Sequence, residues 1–64
     1  MQLLNKERKL MGFTIDDLVK KLDVSNATIN HWLKGNQPSA KNVYKLKKLG
    51  FSDDGALYPG KEIE

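Results

Sequence analysis

Residues 15–34 read IDDLVKKLDVSNATINHWLK, and this stretch decides the fold. Ile15, Leu18, Val19 and Leu22 recur at i, i+3, i+4 and i+7, the spacing of one helix face. Thr14 stands before the run as an N-cap, with Asp16 and Asp17 in the first turn and Lys20 and Lys21 in the last. A helix dipole favours that charge order. Asp23 and Val24 then separate this run from Ser25, a second N-cap. Ile29, Trp32 and Leu33 keep helical spacing after it, and Gly35 marks a stop. The pattern predicts helices over 15–22 and 26–33. Joined by about three residues, they cross at a steep angle rather than lie antiparallel. Leu18 and Leu22 line the inner face of the first, Val24 plugs the turn, and Ile29 and Trp32 seat the second against the first. Asn26, Ala27, Thr28, Asn30, His31 and Lys34 are thereby forced outward.

The flanks supply three more helices. Leu4, Arg8 and Met11 fall at i, i+4 and i+7, with Leu3 and Leu10 alongside and Gly12 as a stop, so a first helix is expected over 3–11. Gly35-Asn36-Gln37-Pro38 is a loop by composition. Ser39 caps a fourth helix with Val43, Leu46 and Leu49 on its apolar face and Tyr44 adjacent; Gly50 ends it with Phe51 behind. Ser52, Asp53 and Asp54 start a short fifth helix reaching Leu57 or Tyr58, and Pro59-Gly60 ends that. The expected fold class is therefore all-α, a compact five-helix domain over 1–64. Its core lies at about 3–58, and its tail over 59–64 is expected to fray.

Composition narrows the function. The chain has 64 residues, 39% of them hydrophobic, no cysteine, one histidine and a net charge of +3. That length suits one small domain with a thin core. There is no disulfide framework or thiolate site, and a lone His31 makes no metal cluster. Asp16 and Asp17 point about 100° apart on a helix and read as dipole partners rather than a catalytic pair. No nucleophile–base pair or glycine phosphate loop is present, so an enzyme is not expected, nor are a cofactor, a metal or a small-molecule substrate. Apolar runs of two or three residues cannot span a membrane, and no secretory signal is visible; the expectation is a cytoplasmic protein. Residues 36–49 hold Lys41, Lys45, Lys47 and Lys48 with no acid. A basic stretch of that kind reads either as a solvated helix face or as a polyanion contact.

The combined pattern resembles the lambda-repressor-like family of Cro/Xre-type helix-turn-helix regulators over about residues 3–57. The residues that carry the resemblance are Arg8, Gly12-Phe13-Thr14-Ile15, Asp17-Leu18-Val19, Leu22, Val24-Ser25, Thr28-Ile29, Trp32, Gly35 and Pro38-Ser39. The chain departs from the family at Ile15, where a phosphate-anchoring Gln is usual, and at Val19, where Ala is usual. It also departs at Asp23, usually Gly, and at Leu33, usually a Glu that pairs with the arginine of the first helix. Arg8 is thus left without that partner, and Asp17 is its expected substitute.

The resemblance implies a sequence-specific double-stranded-DNA-binding transcriptional regulator of a phage or mobile-element type, a Cro-like repressor. Its third helix enters the major groove. Carried onto this chain, the DNA-facing residues are Ser25, Asn26, Ala27, Thr28, Asn30 and His31, with Asn26 and Asn30 suited to adenine and Ala27 to a thymine methyl. Lys34, Asn36 and Gln37 in the loop, and Lys41 and Asn42 at the start of helix 4, face phosphates. One module of roughly 600–1,000 Å² binds weakly alone, so a homodimer on the operator is expected. Phe51, Leu57, Tyr58 and Ile63 are candidates for its surface, although Phe51 and Leu57 could instead close the core. The competing reading is a protein-interaction module of the same fold, an antirepressor or antitoxin-like subunit, in which DNA binding is weak or lost.

Overall fold

Serine and threonine caps set where the helices begin. In a computed structural model that describes residues 1–63, the order is α1 Leu3–Met11, α2 Ile15–Leu22, α3 Asn26–Leu33, α4 Ala40–Leu49 and α5 Asp53–Leu57. The Thr14 hydroxyl accepts from the Asp17 N–H at 3.1 Å, and the Asp17 carboxylate accepts from the Thr14 N–H at 2.9 Å. This reciprocal pair satisfies two donors that the first turn leaves orphaned. Ser25, Ser39 and Ser52 cap α3, α4 and α5 by accepting from the N–H groups of Thr28, Asn42 and Gly55. Asp23 ends α2 in the left-handed region at φ 56°, a conformation that Asp tolerates better than most residues.

The core gathers one stripe from every helix. Leu4, Leu18, Leu22, Ile29, Leu46 and Ala56 are fully buried, and Trp32 and Phe51 nearly so. Burying each of the larger side chains contributes roughly 1.5–3 kcal/mol. Val24, Ile15, Val19 and Leu33 pack half-buried against this cluster. Leu10 does not join it: it is 77% exposed, off the face that carries Leu4 and Met11. α5 packs against both α4 and α1, while α2 meets α3 and α4.

Two expectations are corrected. Arg8 does not pair with Asp17. Its guanidinium donates to the Phe13 carbonyl at 2.8 Å and to the Asn5 side chain at 3.3 Å, bracing the α1–α2 turn. Asp17 is occupied by Thr14. The tail is also not frayed over 59–63. Gln2 makes no side-chain cap for α1, and the Leu3 and Leu4 N–H groups donate instead to the Lys61 and Pro59 carbonyls, at 2.8 and 3.1 Å. Gln2 and Glu62 form an antiparallel bridge, the Met1 ammonium lies 3.0 Å from the Glu62 carboxylate, and Pro59 is fully buried. The tail thus caps the first helix. Glu64 lies outside the described residues.

Candidate nucleic-acid interface

The α2–α3 crossing turns one face of α3 away from the core. Ile29 and Trp32 point inward, and Asn26, Ala27, Asn30 and His31 are exposed on the opposite side. Among the described residues, the side chains of Asn26, Asn30 and His31 have no hydrogen-bond partner within the chain. Ser25 and Thr28 differ: their hydroxyls lie 3.0 Å apart, and Ser25 also accepts from the Thr28 N–H at 3.2 Å. Their first duty is to the start of the helix.

Past α3 the chain turns through Lys34 and Gly35, the latter at φ 116°. The Asn36 N–H and Nδ2 both donate to the His31 carbonyl at 3.1 Å, closing the C-terminus of α3. That side chain therefore shapes the loop, while Lys34 and Gln37 stand exposed on it. Pro38 is buried and delivers the chain to Ser39 and α4. Lys41 is exposed in the first turn of α4, and Asn42 is half-buried beside its cap. Amide groups of that first turn have no partner inside a helix and point along its axis.

A helix-turn-helix family model matches residues 4–50, well over half of the chain. The chain belongs to the Cro/C1-type helix-turn-helix family. Membership makes this helix-turn-helix protein a DNA-binding regulator in the general sense. No curated protein and no solved structure matches the chain. Among the described residues, no helix is long and apolar enough to cross a membrane.

The basic stretch of this helix-turn-helix protein is less uniform than its composition suggests. Lys45 is half-buried, and its Nζ donates to the Leu22 carbonyl at 3.0 Å, capping the C-terminus of α2. Lys47 pairs with Asp53 at 3.2 Å, and Lys48 sits 4.9 Å from the centre of the Tyr44 ring. Of the four lysines in 36–49, Lys41 alone has no such partner among the described residues. Phe51 is core and leaves the candidate dimer surface, whereas Leu57 and Tyr58 remain exposed. Tyr44, 60% exposed, joins Leu57 around a hollow of about 420 Å³ lined also by Ala40 and Val43. No spacing marked Lys45 as a cap, because its acceptor is 23 residues away in sequence.

Proposed function

We propose that this protein is a sequence-specific transcriptional regulator of the phage or mobile-element type that reads the major groove of double-stranded DNA with α3, as a homodimer. The observation that carries this reading is the outward row of Asn26, Ala27, Asn30 and His31, exposed beside the loop that bears Lys34 and Gln37. Asn26 and Asn30 each present an amide that can bond bidentately to adenine N7 and N6, and Ala27 suits a thymine methyl. Lys34, Gln37, Lys41 and the first-turn amides of α4 take backbone phosphates, with Ser25, Thr28, Asn36 and Asn42 holding their helix ends in place. The longest dimension of the molecule is 29 Å. Successive half-sites on one face of DNA lie about 34 Å apart, and one copy presents a single α3, so reading two of them takes two copies. The Tyr44–Leu57 patch is the apolar surface on which two copies would meet.

Selection from random duplex DNA at about 100 mM salt tests this reading, because affinity there still reflects phosphate contacts. The expected result is a two-fold-symmetric site with A·T pairs under Asn26 and Asn30. Asn26→Ala and Asn30→Ala should each lose about 1–3 kcal/mol at the matching position. A G·C-rich core, or a motif indifferent to both substitutions, would sink it. Failure to recover any motif would favour the protein-partner reading, in which the exposed Tyr44 and Leu57 meet a different protein instead of a second copy.

A further inference from the structure

The tail that caps α1 also lies against the end of α3. Gly35, Asn36 and Gln37 face Tyr58, Gly60 and Lys61 across an open hollow of about 410 Å³. Of the side chains that line it, those of Lys61, Tyr58 and Gln37 carry donors. Among the described residues, none that lines it is acidic. The neighbouring acid, Glu62, pairs with the Met1 ammonium. Of the carbonyls around it, those of Tyr58, Pro59 and Lys61 accept from the N–H groups of Lys61, Leu4 and Leu3. A cation, a hydroxyl and an amide on the residues around one hollow, with no acidic residue lining it among those described, are the donors that an anion accepts from.

The hollow is built on anchored backbone. Lys61 donates its N–H to the Tyr58 carbonyl at 3.0 Å while its own carbonyl holds the Leu3 N–H at 2.8 Å. Its side chain is nonetheless exposed. The opposite wall continues from Lys34, in the loop that faces phosphates under the DNA-binding reading. We propose that this hollow receives a phosphate of the duplex flanking the half-site, with Lys61 Nζ and the Tyr58 hydroxyl as donors opposite Gln37. This inference rests on the DNA-binding reading. It extends the interface from the helix-turn-helix into the C-terminal tail.

The test is titration of a fluorescent duplex of mixed sequence with the full chain at several salt concentrations, since a phosphate contact carries no sequence information. Lys61→Gln should weaken binding several-fold on every sequence and reduce the log–log salt slope by about 0.9. Tyr58→Phe should weaken binding while leaving the slope unchanged. Lys47→Gln, which removes a lysine already paired with Asp53, is the charge control and should leave the slope as in the parent. On a duplex carrying the half-site recovered by selection, methylphosphonate at the flanking phosphates should weaken the parent and have no further effect on Lys61→Gln. A Lys61→Gln variant that melts like the parent and keeps both its affinity and its slope overturns the proposal while leaving the DNA-binding reading intact. A parent chain with no salt-dependent duplex binding overturns both.

Discussion

Asp17 performs two duties in the first turn of α2: it faces the positive end of the helix dipole and closes the box with Thr14. Thr14, through its backbone N–H first and its hydroxyl second, holds the Asp17 carboxyl below the usual carboxylate range, with Lys21 and Lys20 adding to the effect. A carboxyl whose folded pKa is depressed stabilises the fold when ionised. That contribution is complete above about pH 5 and is lost as pH falls through about 3.9 toward the folded value. Urea unfolding at neutral and acid pH checks this. The stability difference between the parent and Asp17→Asn should shrink as pH drops below 4, and an equal difference at both pH values would contradict it. Thr14 as the cap and Asp17 as a dipole partner were legible in the sequence, because both are local; the reciprocal bond between them was not, since Asp17 was expected to pair with Arg8. The true partner of Arg8 was not, because a backbone carbonyl such as that of Phe13 carries no residue-type signature.

At the scale of elements, α4 is a tie as well as a basic helix. Lys45 reaches from it to the last carbonyl of α2, where a cation also meets the negative end of the dipole. Lys45→Met keeps the aliphatic stem and removes the charge and the donor. It should cost about 1 kcal/mol, or a fall in Tm of about 4–8 °C in a domain of this size. It should leave the salt slope of DNA binding unchanged, because Lys45 is not free to meet a phosphate. A variant that melts like the parent and has a shallower slope would reverse that assignment. All five helices were legible from apolar spacing and caps, since both are set within a few residues. Lys48 beside the Tyr44 ring follows from i, i+4 spacing on α4, but the partners of Lys45 and Lys47 were not legible, because Leu22 and Asp53 are brought to them by packing and by the α4–α5 turn.

For the whole molecule, the two ends of the chain complete each other. α1 lacks a side-chain cap, and the tail supplies carbonyls in its place. Glu7 in α1 returns the service by accepting from the Ser52 N–H and hydroxyl at the start of α5. Gly60 fits this closure because nothing larger does: a Cβ there would lie 2.6 Å from the Trp32 carbonyl oxygen and 2.9 Å from the Gly35 nitrogen. Those are backbone atoms at and just past the end of α3 and cannot step aside as a flexible side chain would. Gly60→Ala should therefore destabilise the fold by about 1–3 kcal/mol. Amide exchange at Leu3 and Leu4 should quicken along with it, because the tail that protects them is displaced. Unchanged protection at both amides would show that the tail accommodates the methyl group.

Periodicity and capping chemistry sufficed to specify the helices, the α2–α3 crossing and the outward row of Asn26, Ala27, Asn30 and His31. Each follows from interactions within about four residues or from one apolar stripe, and such information is written along the chain. The tertiary structure alone decided that the tail is held, that Lys45 is a cap, that Phe51 is core and that Lys61 stands beside the loop after α3. These depend on groups 20 to 60 residues apart in sequence meeting in space. Which backbone groups remain unpaired, and which segment can reach them, is settled only when the helices pack.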